Sequence, residues 1–303
     1  MEEALSPQVG PQFDQTTASF VEWFTSADGT RLSSKIELKD LREENAGRGL
    51  VAINAIAEDE EPFAVPRPLV LMSTTSSIPP TILAPLADTG TWPPLIVTII
   101  YEYLRRQESP WHPYFRVLPT AFDTLMFWND AELAELQASA VVDKIGKAQA
   151  EATWKETIIP VMLAHPELFP VFVVSDTERT AELIMLAHMP GSLIMAYAFD
   201  IDRDDEQDGP RNAGSDDEFE EDDEEEPLQG MVPFADMLNA DADKGNARLF
   251  QEDDYLIMKS TKTTAAGEQI FNDYGPLPRS DLLRMYGYVT DNYAKYDVGG
   301  IIA

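Results

Sequence analysis

Three separated segments of this 303-residue chain hold the kinds of residue that bind ligands or carry reactions. The first is Gly47-Arg48-Gly49, set just before the apolar run Leu50-Val51-Ala52-Ile53. Paired glycines let a backbone take positive φ and approach a ligand closely. The triplet is too short for a dinucleotide fingerprint and lacks the Lys-Ser/Thr ending of a phosphate loop. The second segment runs from Met231 to Asp241, with Asn246 shortly after. It mixes apolar residues with Asp236 and Asn239, whose side chains can bond backbone groups or a ligand. The third is Gly267-Glu268-Gln269-Ile270-Phe271-Asn272-Asp273-Tyr274-Gly275, continuing from Leu282 to Tyr288, with Tyr274 and Tyr286 each followed by glycine. A phenol can donate or accept a hydrogen bond at a reacting atom. Read singly, each segment also has a plain structural reading: an ordinary turn, a capped helical turn, and two core tyrosines with satisfied hydroxyls.

Positioning such residues takes elements, and the apolar spacing supplies them. Phe13 to Phe24 predicts a short helix, Asp28-Gly29 a turn, and Leu32 to Leu38 one alternating edge strand. Glu44 to Gly49 reads as a glycine loop leading into a strand. Glu61 to Leu71, bracketed by Pro62, Pro66 and Pro68, reads as another extended piece. Helices are predicted over Leu95–Arg106, whose terminal arginines suit a helix C-terminus, and over Asp130–Lys147 and Ala150–His165. The run Leu183–Phe199 is interrupted by His188, Pro190-Gly191 and Ser192. It falls short of the roughly 20 apolar residues of a membrane span and predicts a buried helix, kinked at Pro190. Strands return at Tyr255–Lys259 and Gln269–Asn272, followed by a helical piece over Ser280–Tyr286. No internal repeat is present.

Hydrophobic residues make up 44% of the chain and aromatics 10%, enough to bury a core. The absence of cysteine excludes disulfides, thiol nucleophiles and Cys-ligated zinc. With only His112, His165 and His188, scattered along the chain, no metal site is expected. The start Met-Glu-Glu-Ala is acidic where a targeting segment is basic and apolar, and no membrane attachment is expected. Net charge is −32. Asp200 to Glu226 holds 16 acidic residues and two arginines, a net of −14. Too polar to offset the entropy of ordering, the stretch Asp200–Gln229 is expected to be disordered. So acidic a chain repels nucleic-acid phosphates and steers toward basic proteins.

Taken together, in order and wording, the three segments resemble the SET-domain protein-lysine methyltransferases. The class is the one with a helical insertion, which includes the Rubisco large-subunit methyltransferase, and the nearest branch is the fungal ribosomal lysine methyltransferases. The resemblance covers most of residues 20–303. It includes Ser109-Pro110-Trp111-His112-Pro113-Tyr114, the phrase from Gly191 to Phe199, and the closing Lys295-Tyr296-Asp297-Val298-Gly299. It implies an α+β SET fold of small twisted β-sheets with a C-terminal pseudoknot and a helical insertion. Threaded topologies are rare, and periodicity gives no sign of this one. The implied division is 1–92 and 230–303 for the two parts of the SET domain, 93–199 for the insertion and 200–229 for the acidic loop. The C-terminal helical substrate-binding domain of relatives is expected to be absent.

The resemblance further implies S-adenosyl-L-methionine as cofactor and methyl transfer to a protein lysine, with no metal. Ala46, Gly47 and Arg48 would line the cofactor by backbone contacts, and Tyr197, Asn239 and Tyr286 would complete its pocket. Ala240 stands where many relatives carry histidine, leaving a backbone contact only. Asp236 would lie near the substrate channel, and Tyr274 would be the catalytic tyrosine. The implied partner is a basic ribosomal protein, with elongation factors and histones also open, and a monomer is expected. The resemblance places it in the nucleus or cytoplasm, favouring the nucleus. A second reading of the same features is a non-catalytic SET-like acidic adaptor or chaperone for basic proteins.

Overall fold

Phe13, Phe20 and Phe24 fall on one face of helix α1 (Gly10–Ser26), and all three are buried in the computed structural model, which describes residues 10–44, 46–136, 139–171, 173, 175–202 and 227–297. After a turn at Gly29 come strands β1 (Arg31–Leu32), β2 (Ile36–Asp40), β3 (Arg48–Ala52) and β4 (Phe63–Pro66). The single strand expected over Leu32–Leu38 is therefore two, entering different sheets. Ser33 divides them: its hydroxyl accepts the Lys35 N–H at 3.2 Å, a local turn that competes with extended pairing.

The helices α2 (Pro80–Leu83), α3 (Trp92–Leu104), α4 (His112–Phe115), α5 (Asp130–Ala134), α6 (Lys147–Glu156), α7 (Ile158–Ala164) and α8 (Asp176–Tyr197) follow. The continuous helix expected over Asp130–Lys147 does not form. Asn129 and Glu132 make a capping box that starts α5, but the helix ends at Ala134. Gly146 enters the left-handed region at φ +72° just before α6. The helix expected over Ala150–His165 is likewise split at Thr157. Pro160 offers no N–H to the carbonyl four residues back, and its ring crowds that carbonyl. By contrast α8 continues past Pro190 without a break, opened by a Ser175–Glu178 capping box. Its apolar face packs on α3, where Leu95 to Ile100 are all buried.

Strands β5 (Ala198–Ile201) and β6 (Leu228–Met231) pair antiparallel, with Ala198 opposite Met231 and Ile201 opposite Leu228. Asp200, Ile201, Leu228 and Gln229, expected to be disordered, are thus strand residues, and Ile201 is buried. Residues 203–226, the bulk of that expectation, lie outside the described residues. Strands β7 (Ala247–Gln251), β8 (Tyr255–Ser260) and β9 (Gln269–Ile270) and helix α9 (Arg279–Tyr286) complete the chain, with a 3-10 turn over Asp291–Tyr296. The sheets are small and antiparallel: β1-β4-β8-β7, β2-β3-β9 and β5-β6. The first two pair N-terminal strands with C-terminal ones. Among the described residues, no helix is long and apolar enough to cross a membrane.

Candidate active site

The two glycines of the first segment serve different ends. Gly47 has φ +63° and turns the chain into β3. Gly49 leaves room for a neighbour: a Cβ there would lie 2.8 Å from Asn239 Nδ2 and 2.9 Å from Gln269 Oε1. Through that gap Asn239 Nδ2 donates to the Arg48 carbonyl (3.1 Å) and to Gln269 Oε1 (2.7 Å). Asn239 therefore knits the glycine segment to β9, and its amide hydrogens are committed to protein acceptors. Arg48 itself turns toward α1. Its guanidinium donates to Thr16 (3.0 Å), Thr17 (2.9 Å) and the Val117 carbonyl (3.0 Å), over the face of Phe13. Burial lowers it to about 10, still charged at neutral pH.

The second segment enters on an uncommon backbone. Phe234 has φ +74°, a costly conformation for a bulky residue. It is held by burial among Phe20, Phe24 and Phe63, with ring centroids 5.2, 4.4 and 5.5 Å away. The next residues form a 3-10 turn, Ala235–Met237, which delivers Asp236 to a buried position. There the Tyr114 hydroxyl donates to Asp236 Oδ2, while Oδ1 finds no hydrogen-bond partner among the described residues. Burial pushes the Asp236 carboxyl up to about 7, against the Tyr114 bond that lowers it. Burial, and then the charge of Asp236, push the Tyr197 phenol up to about 12.

The third segment runs beside the second. Ala240 and Asn272 form an isolated parallel bridge, and the Asn272 N–H donates to the Asn239 carbonyl at 2.9 Å. Tyr274 follows, stacked on Tyr286 from the last turn of α9 at 4.2 Å between centroids and 9° between planes. Burial, and next the neighbouring Tyr286, raise the Tyr274 phenol well above its ordinary value. Tyr286 and Tyr288 are each pushed by burial up to about 12. These phenols are hydrogen-bond donors across the physiological range.

One cleft of about 1150 Å³ is lined by Ala46, Gly47, Arg48, Tyr197, Asp236, Asn239, Ala240, Tyr274 and Tyr286, so every site residue singled out in the sequence meets there. Sequence reasoning missed Tyr288, Gln269, His112 and Arg116, which also line it. Tyr288, Gln269 and His112 lie within phrases already singled out, whereas no pattern in the sequence points to Arg116. Burial and then Arg116 lower the His112 imidazole, favouring its neutral form. Among the described residues no group of His, Asp or Glu is arranged to hold a metal ion.

The chain is 36% identical over 299 residues to ribosomal lysine N-methyltransferase 4 of Saccharomyces cerevisiae, a match covering 96% of this chain and 58% of that protein. It is 33% identical over 287 residues to N-lysine methyltransferase SETD6 of Rattus norvegicus, covering 92% and 55%. The chain thus spans little more than half the length of these curated relatives. No family model matches. Among solved structures, it superposes on the SET domain of LSMT bound to lysine and AdoHcy with a TM-score of 0.69 at 22% identity, over 93% of this chain and 59% of that one. Rubisco LSMT bound to AdoMet gives 0.67 at 21%, over 95% and 57%.

Proposed function

The chain belongs to the SET-domain family, and on that premise we propose that it is an S-adenosylmethionine-dependent protein-lysine N-methyltransferase acting on a basic ribosomal protein. The observation that carries the reading is the meeting of Gly47, Asn239, Tyr274 and Tyr286 in one cleft that also buries the unpartnered Oδ1 of Asp236. The cleft suits this chemistry in size and character. It exceeds the roughly 300–1,000 Å³ of a single small-molecule pocket, leaving space for a cofactor and a lysine side chain. Its wall of phenol faces and one buried carboxyl favours cationic groups.

The cofactor, when bound, would supply an electrophilic methyl group carried on a sulfonium, for displacement by the lysine nitrogen. A lysine with a pKa of about 10.4 is neutral in only about one molecule in a few thousand at pH 7. Burial in the channel favours the neutral, nucleophilic amine. The Asp236 carboxyl, held by the Tyr114 hydroxyl in the wall of the cleft, lies beside the channel that the amine enters. The Tyr274 hydroxyl, protonated and fixed in plane by its stack on Tyr286, orients the reacting centre. The backbone of Ala46 to Arg48, with Asn239, Ala240, Tyr197 and Tyr286, holds the cofactor end. On this reading the chain works as a monomer in the nucleus or cytoplasm, with a protein partner and neither nucleic acid nor membrane.

Incubation with tritiated S-adenosylmethionine and fractionated ribosomal proteins should label a basic protein on lysine. Cofactor binding is read separately as a rise in Tm, since a ligand of the folded state alone must stabilise it. Binding without labelling of any ribosomal, elongation-factor or histone fraction would replace the enzyme by an adaptor. No binding at all would remove the cofactor from the proposal.

A further inference from the structure

Asp241 follows the cofactor residues Asn239 and Ala240 and lines the same cleft. Its Oδ1 accepts three hydrogen bonds: from the N–H of Asp243 (3.0 Å), the N–H of Lys244 (3.1 Å) and Nδ2 of Asn292 (2.9 Å). Lys244 Nζ stands 3.5 Å from Oδ2. The backbone of Asp241 is tied as well, its carbonyl to the Gly245 N–H (2.9 Å) and its N–H to the Asn272 carbonyl (3.4 Å). The Asp241 carboxylate therefore joins the loop after Asn239 to the C-terminal turn Asp291–Tyr296, while its backbone N–H ties that loop to the stretch leading to Tyr274. That turn is anchored from other sides: Tyr293 is fully buried, Lys295 Nζ meets Asp243 Oδ1 at 2.5 Å, and Arg279 holds Asp291 (3.2 Å) and Asp297 (2.8 Å).

We infer that Asp241 is a positioning residue for the cofactor end of the cleft, tying the Asn239–Ala240 loop to the C-terminal turn so that both close on the same ligand. The inference rests on the methyl-transfer reading above. It follows from connectivity: Asn239 and Ala240 have Gln269 and Asn272 on one side, and on the other the loop is held through Asp241. Burial alone would raise this carboxyl, yet the backbone N–H groups of Asp243 and Lys244, with Lys244 and Asn292 beyond them, bring it below the usual carboxylate range. The group is an anion at neutral pH, where hydrogen bonds to it are at their strongest.

The test is calorimetric titration with S-adenosylhomocysteine, well below each variant's Tm. Wild type goes first: absence of binding there fails the methyl-transfer reading itself. Given wild-type binding, Asp241→Ala should raise Kd by about tenfold or more, the scale of hydrogen bonds to a charged group. Asp241→Asn, which keeps an acceptor oxygen, should recover most of that loss, a rescue that a general loss of stability does not produce. Asn292→Ala should weaken binding in the same direction, and the double variant should show less than the sum of the two effects. Wild-type affinity in Asp241→Ala, or Asp241→Asn as weak as Asp241→Ala, overturns the inference. Should Asp241→Ala fail to fold, unchanged affinity in the milder Asn292→Ala overturns it instead.

Discussion

Tyr274 and Asp236 show how differently two oxygen-bearing side chains lining one cleft can be used. The Tyr274 hydroxyl stays protonated, and its ring is fixed by Tyr286. Tyr274→Phe keeps ring and stack, so cofactor affinity should survive while kcat falls about 10²–10³-fold, the usual effect of removing one group positioned for the transition state. Lysine labelling and a parallel binding titration check this; near wild-type turnover would return Tyr274 to the core. Asp236 makes a stability prediction. Its folded pKa of about 7 lies above the ordinary 3.8, so between these values the folded state holds a proton that the unfolded state releases. Stability must then fall as pH rises from 4 to 7 and level off above, by at most about 4 kcal/mol. Asp236→Asn cannot ionise but can still accept from Tyr114. Its stability relative to wild type should improve over that window, read from urea midpoints at pH 4.5 and 7.5, and a constant difference contradicts it. In the sequence these residues stood out by resemblance alone. Spacing favoured core tyrosines and a capped turn, because neither the stack nor the buried Tyr114 partner 122 residues away leaves a local signature.

Between residue and fold, the glycines at the ends of elements carry much of the geometry. Gly287, at φ +79°, ends α9 directly after Tyr286, and a Cβ there would come within 2.9 Å of the Asp123 backbone. Gly47, at φ +63°, has open space around the same position. Alanine at Gly47 should therefore cost only about 1–2 kcal/mol of backbone strain. Alanine at Gly287 must also displace either the Asp123 backbone or α9 with Tyr286. A lower Tm for Gly287→Ala than for Gly47→Ala, with weakened cofactor binding, is the expected outcome; equal Tm values contradict it. The elements themselves were legible where a long apolar pattern dominates, as in α1, α3 and α8. They were misread where a single residue overrides the pattern, as with Ser33 splitting a strand and Pro160 splitting a helix. Strand β7 went unseen because its exposed Arg248 and Phe250 alternate with Leu249 and Gln251, neither of them fully buried. The parallel contact of Ala240 with Asn272 links distant segments, and no local pattern encodes it.

At the scale of the whole molecule, the net charge of −32 and its concentration between Asp200 and Glu226 bear on encounter rather than chemistry. Replacing residues 203–226 by a short Gly/Ser linker should leave Tm nearly unchanged, because Ile201 and Leu228 are paired on either side of it. With a basic substrate, the same change should raise KM chiefly at low salt and flatten its salt dependence. A large fall in Tm, or an unaltered salt dependence, goes against this. The β5–β6 hairpin also has a use for engineering. A cut anywhere in 203–226 divides the chain into a piece with Ala46, Gly47, Arg48 and Tyr197 and a piece with Asp236, Asn239, Tyr274 and Tyr286. Strands β3 with β9 and β4 with β8 would have to find each other for either half to fold usefully. Fused to two other proteins, the halves would form a split reporter whose methyl transfer records that those proteins have met.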